Sequence, residues 1–184
     1  TPRSLPVAVR DRGSQNARAP CNVQHDAMAE QRLGITLIGM PGAGKSTVGV
    51  LLSKRLALDF VDSDLAIQVR EGRTLQQILD SGGHLRLREI EADVLLGIDP
   101  HGRVVATGGS AVYSEAAMHH LAAGSTVVWL DVALAELRRR ITDYDTRGIA
   151  RRPGQGFDEL FAERTRLYRR YADARIDCAG LGQE

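Results

Sequence analysis

The segment Gly39-Met40-Pro41-Gly42-Ala43-Gly44-Lys45-Ser46 has the spacing of a glycine-rich phosphate-binding loop, and its flanks matter as much as its glycines. The apolar run Ile35-Thr36-Leu37-Ile38 precedes it, and a helix-like stretch from Thr47 to Leu58 follows. A strand feeding such a turn aims successive backbone N–H groups at one point, and the helix N-terminus adds partial positive charge there. Gly42 and Gly44 permit backbone angles and a close approach that a Cβ would forbid. In this pattern the lysine reaches the β- and γ-phosphates and the hydroxyl after it ligates Mg²⁺, which puts Lys45 and Ser46 in those roles. The loop implies a nucleoside triphosphate site, with Gly42, Ala43, Gly44, Lys45, Ser46 and Thr47 as its candidate ligands.

The remainder of the chain must then supply a body for that loop. With 184 residues, one domain is the default and a sizeable core is within reach. Its 24 basic and 23 acidic residues leave a net charge of +1, which gives no electrostatic case for a nucleic-acid partner. No apolar run approaches the roughly 20 residues that span a bilayer, so no membrane partner is expected either. Cys21 and Cys178 lack the spacing of a metal or redox pair, and a reducing cytoplasm is the simplest compartment. Residues 1–32 carry scattered proline and arginine without an apolar period, and read as a disordered extension of the domain over 33–184.

Short apolar runs at 35–38, 59–62, 104–107, 126–130 and 175–178 read as buried strands. Helical patterns near 46–58, 74–81, 85–97, 114–122, 133–141 and 157–171 separate them. Strands alternating with helices predict an α/β fold with a parallel sheet covered on both faces. Ligands of such sheets sit at the carboxyl ends of the strands, where the loops at 39–46, 62–64 and 108–110 fall.

Several polar residues stand near those ends. Asp62 and Asp64 alternate along an extended segment, which predicts two carboxylates on one side, one for Mg²⁺ and one for a substrate hydroxyl. One of the two could instead cap the following helix, and Asp64 suits that role as well as a site. In the 157–171 pattern, Phe157, Leu160, Phe161, Arg164, Tyr168 and Tyr171 form one stripe, and Arg164 is the single charge in it. A guanidinium on a core-facing stripe requires an anion, either an internal carboxylate or a ligand's. Arg88 lies beside a similar stripe and can pair with Glu91 three residues on. Thr107-Gly108-Gly109-Ser110 closes the third strand, as a ligand approach or as a tight turn. Arg138-Arg139-Arg140, Arg147 and Arg151-Arg152 mark a basic connection that can close over phosphates or remain a solvated loop.

Together these segments resemble the shikimate kinase family. The resemblance rests on Gly39–Thr47, Phe60-Val61-Asp62-Ser63-Asp64, Gly83–Glu91, Val105–Val112 and Glu163-Arg164-Thr165-Arg166-Leu167-Tyr168. It implies a three-layer α/β/α P-loop kinase with a five-stranded parallel sheet and a mobile lid at about 143–156. It also implies a monomeric enzyme that transfers phosphate from ATP, with Mg²⁺, to the 3-hydroxyl of shikimate, a small-molecule substrate. By position, Asp62 joins Ser46 at the metal and Asp64 binds the reacting hydroxyl. Arg88, Arg164, Gly108, Gly109 and Ser110 then hold the acceptor, Arg152 is the lid arginine, and Arg139 lies against adenine. Lys45, Asp64 and Arg152 are the expected catalytic residues.

The chain departs from the family pattern at His84, Leu87 and Ser110, and in its Arg151-Arg152-Pro153-Gly154 lid. Arg166 stands where proline is common, and the sequence stops at Glu184, which suggests a missing C-terminal segment. These departures keep two alternatives in view: a sibling kinase for an acid such as homoserine or gluconate, and a binding protein without turnover.

Overall fold

The computed structural model describes residues 34–141 and 148–178, which lie within one compact unit. The expected tail 1–32, the lid residues 142–147 with Arg147, and residues 179–184 fall outside the described residues. Five strands form one parallel sheet in the order β2-β3-β1-β4-β5: β1 Gly34–Ile38, β2 Asp59–Asp62, β3 Arg103–Ala106, β4 Ser125–Asp131 and β5 Ala174–Asp177. The central strand β1 pairs Leu37 with Ala106 on one side and Ile38 with Trp129 on the other. Its carboxyl end therefore opens where the succession of strands turns from one side of the sheet to the other, the usual ligand position in open parallel sheets.

Helices α1 Lys45–Leu56, α2 Ser63–Glu71, α3 Leu75–Leu96, α4 Glu115–Gly124, α5 Leu134–Arg140 and α6 Phe157–Tyr171 cover the sheet. The main core joins Ile38, Val105 and Val127 of the sheet to Met118, Leu121 and Leu160 of the helices. A second cluster, with Ile67, Ile78, Leu87, Ile90 and Ala150, packs α2 and α3 beneath the segment that leads into α6. Burial of these aliphatic side chains supplies about 25 cal/mol per Å² of apolar surface withdrawn from water. No helix among the described residues is long and apolar enough to cross a membrane.

All five predicted strands and the predicted helices are present, with ends shifted by a residue or two. The two helices expected at 74–81 and 85–97 form one run, Leu75–Leu96, broken at Gly83, whose φ of 74° and ψ of 180° are not helical. A reciprocal cap starts it: Thr74 Oγ1 accepts from the Gln77 N–H at 3.3 Å, and Gln77 Oε1 accepts from the Thr74 N–H at 2.9 Å. Helix α2 was not anticipated. Its apolar residues Leu65, Ile67 and Val69 are two apart, and only Ile67 is buried, so no helical stripe is visible in the sequence.

Candidate active site

After β1 the backbone takes positive φ at Gly39, Gly42 and Gly44, at 148°, 81° and 87°. Gly44 is the N-cap of α1 and makes no side-chain cap bond, so the first N–H groups of the helix stay directed at the loop. Lys45 folds back over this turn, its Nζ donating to the Gly39 carbonyl at 2.8 Å and the Met40 carbonyl at 3.0 Å. Burial lowers its pKa to about 8, against the opposing pull of Asp64. The loop opens into a cavity of about 450 Å³ that reaches from Gly42, Lys45 and Thr47 to Asp64 and Arg164. Ala43 is buried beneath the loop and does not line that space; its N–H closes the turn onto the Met40 carbonyl at 3.1 Å.

Asp62 ends β2 and serves two neighbours at once. Its Oδ1 accepts from the backbone N–H groups of Asp64 and Leu65, at 2.9 and 3.3 Å, and so caps α2. Its Oδ2 accepts from the Ser46 hydroxyl at 2.5 Å, which brings the two candidate metal ligands together beside the phosphate loop. The expected alternation of Asp62 and Asp64 along one strand does not occur, because the helix begins at Ser63. Asp64 is instead carried by the first turn of α2 and lies against Gly108, whose added Cβ would stand 2.5 Å from Asp64 Oδ1. The cap that either aspartate could have formed is Asp62's.

The part of the cavity walled by α6 is built around Arg164. It is 1% exposed, and the stripe of α6 forms as expected, with Leu160 and Tyr168 buried on either side. Arg164 Nη2 donates to the Ala150 carbonyl at 2.6 Å, while its Nε is buried without a partner. Arg164 forms no ion pair among the described residues; it lines the cavity, and the buried Glu91 lies close enough to feel its charge. Tyr168 steadies the opposite wall by donating to the Gly109 carbonyl at 2.8 Å. Gly109 and Ser110 line the space, whereas Gly108 donates its N–H to Ser63 Oγ at 2.8 Å and stands behind Asp64.

Glu91 does not form the pair with Arg88 that the spacing allowed. It turns inward, is 2% exposed, and takes a hydrogen bond from the Ser110 hydroxyl on Oε2 while Oε1 has no partner. Burial, reinforced by the nearby Asp64 charge, raises its pKa to about 7. Arg88 lies on the far side of this Glu91–Ser110 wall, outside the main cavity, with its guanidinium stacked on Tyr113.

The basic residues distribute unevenly. Arg139 is exposed and pairs with Glu136. Arg152 bonds Glu159 and Glu163 of α6, at 2.8 and 3.0 Å, and does not line the main cavity. Among the described lid residues, those that do are Gly148, Ile149 and Ala150. Arg140, from the basic run expected to close over phosphates, lines the cavity and reaches the Gly42 carbonyl at 3.5 Å. Arg138 to Arg140 form the last turn of α5, where positive charge suits the helix end. Glu91 was missed as a cavity residue because it breaks no apolar stripe, and a charge at a helix flank reads as solvated until its neighbours are known.

Comparison with known proteins assigns the family. The family model described as Shikimate kinase matches residues 41–183. The shikimate kinase of Mycobacterium avium (strain 104) is 40% identical over 144 residues, covering 77% of this chain and 81% of that protein. That of Mycobacterium leprae (strain TN) is 38% identical over 151 residues, covering 79% and 75%. Among solved structures, shikimate kinase from Acinetobacter baumannii in complex with shikimate superimposes with a TM-score of 0.71 at 29% identity, over 82% of this chain and 86% of that one. The Aquifex aeolicus enzyme gives 0.66 at 34% identity, over 78% and 85%. On this evidence, with a phosphate loop and a buried guanidinium facing one cavity, the chain belongs to the shikimate kinase family.

Proposed function

We propose that this chain transfers the γ-phosphoryl group of ATP to the 3-hydroxyl of shikimate, a step in aromatic amino acid biosynthesis. The observation that carries the reading is the pairing, in one cavity, of a phosphate loop with the buried Arg164, which has no ion pair among the described residues. The loop suits a triphosphate and Arg164 a carboxylate, and Asp64 lines the same space.

Each residue has a role that follows from its place. The loop amides and Lys45 hold the β- and γ-phosphates and offset the charge that develops on them in transfer. Arg164 takes the acceptor carboxylate and fixes the ring, so that the 3-hydroxyl is presented to the γ-phosphorus. Asp64 accepts the hydroxyl proton as the new O–P bond forms, while the bond from the γ-phosphorus to its bridging oxygen breaks and ADP leaves. Ser46 and Asp62 offer adjacent hard oxygens, the donor set Mg²⁺ takes alongside phosphate oxygens. The metal would neutralise phosphate charge there. Ile149 and Ala150 help exclude water above the acceptor. The working context we assign is a cytoplasmic monomer with a small-molecule partner.

A coupled assay of ADP release with candidate hydroxy acids tests this reading. Turnover with shikimate, abolished by Lys45→Met, is the expected result. Turnover with homoserine or gluconate and none with shikimate would overturn it.

A further inference from the structure

Tyr113 ends the 3-10 turn Ala111–Tyr113 and stands between α3 and α6. The Arg88 guanidinium lies over its ring, with Cζ 3.5 Å from the ring centroid. Arg88 Nε and Nη2 are buried with no hydrogen-bond partner, and Arg88 forms no ion pair among the described residues. The electron-rich face of Tyr113 is therefore the main support this cation has.

The tyrosine is held at both ends. Its N–H donates to the Ser110 carbonyl at 3.0 Å, which ties it to the glycine corner of the acceptor wall. Its hydroxyl donates to Glu163 Oε1 at 2.7 Å. The other Glu163 oxygen accepts from Arg152 Nη2 at 3.0 Å and from the buried Gln155 at 2.7 Å. Gln155 Oε1 in turn accepts the Arg152 N–H at 3.1 Å. A phenol that donates to a carboxylate gains electron density in its ring, which strengthens its attraction for a cation on its face. Glu163 also precedes Arg164, so one turn of α6 fixes Tyr113 and supplies the buried cation. Arg88 and Tyr113 line a second cavity, of about 460 Å³, which shares Glu91 and Ser110 with the acceptor end of the first.

We propose that Tyr113 is a positioning residue for the acceptor: its ring holds Arg88 beside the Glu91–Ser110 wall, and its bond to Glu163 ties that cation to the lid segment at Arg152–Gln155. The proposal rests on the reading that shikimate is the acceptor: Arg88 stands across the Glu91–Ser110 wall from Arg164 and favours the acceptor carboxylate from there by its charge. Loss of the ring frees the Arg88 side chain and weakens acceptor binding, while the nucleotide and the transfer step are left alone.

Steady-state kinetics of Tyr113→Leu, Tyr113→Phe, Arg88→Ala and the Arg88→Ala/Tyr113→Leu double variant test it. Tyr113→Leu raises the KM for shikimate about tenfold, with kcat and the KM for ATP within about twofold of wild type. Tyr113→Phe keeps the ring, loses the Glu163 bond, and raises that KM by about threefold or less. In the Arg88→Ala background, Tyr113→Leu adds much less than its loss in the wild type; what remains comes from Arg164, whose Cζ lies 5.4 Å from the same ring centroid. Full additivity of the two losses would overturn the proposal, as would a Tyr113→Leu defect confined to kcat or to melting temperature. An inactive wild type sinks the functional reading and this proposal together, whereas an active wild type with additive losses sinks this one alone.

Discussion

Arg164 Nη2 donates to the Ala150 carbonyl at 2.6 Å, so the buried cation of α6 and the chain that covers the cavity are joined at the acceptor end. A guanidinium has five N–H donors in a planar fork, and this bond uses one of them while Nε has no partner. The geometry leaves the cation both anchored and chemically unsatisfied, which is the state in which a ligand carboxylate gains most from meeting it.

Removal of that cation should be felt by the acceptor more than by the fold's other ligand. Arg164→Ala is expected to lower kcat/KM for shikimate by about 10²-fold or more, since a desolvated charge partner is worth roughly 2–5 kcal/mol. The KM for ATP should change little. Kinetics with each substrate varied in turn check this, and a loss confined to melting temperature would return Arg164 to a packing role.

Lys45 gives the site a pH dependence with a definite sign. Burial lowers its pKa to about 8, and the charged form is the one that binds phosphate. The kcat/KM for ATP should therefore fall as pH rises through about 8 in the free enzyme, and nucleotide binding near that pH should take up a proton. Calorimetry in buffers of different ionisation enthalpy measures that uptake. Lys45→Met should abolish transfer and the uptake together.

Asp62 carries two duties that substitution can separate. Asparagine still caps a helix well, so Asp62→Asn should keep stability near wild type while raising the Mg²⁺ concentration needed for half-maximal activity. Asp62→Ala should show the same metal defect and also lose about 1 kcal/mol of stability with the α2 cap. Mg²⁺ titration of activity beside thermal unfolding distinguishes the two.

The glycine corner is a steric matter at Gly109. An added Cβ there would stand 2.7 Å from Arg164 Nη1 and 2.9 Å from Pro41 Cδ. Gly109→Ala should displace the buried cation and raise the acceptor KM by about tenfold. Gly72 is the contrast: its φ is +63° and nothing lies within 4 Å of an added Cβ. Gly72→Ala should cost about 1 kcal/mol of stability through backbone strain and leave kinetics unchanged.

Much of the fold was legible because it is written in two periods. The strands are short β-branched runs and five of the six helices carry recognisable apolar spacing, so the parallel sheet follows from their alternation. Helix α2 was hidden because it buries little and its cap is a residue that also serves the phosphate loop. In the site, Lys45 and Ser46 were fixed by loop spacing and Arg164 by being the one charge in an apolar stripe. Glu91 was not legible as a buried group, because what buries it is Ser110 on a distant turn. Arg88 and Arg152 were visible as cations, but their partners, Tyr113 and Glu163, lie on other elements. Pairings across elements leave no mark on local sequence.

The most direct test of phosphoryl transfer to shikimate is identification of the product. The protein incubated with Mg²⁺, ATP and shikimate should yield ADP and one phosphorylated species in equal amounts, with phosphorus-31 and proton NMR placing the phosphate on the 3-hydroxyl. ADP formed with free phosphate alone, or a phosphate attached to a different acid while shikimate is left intact, would contradict it.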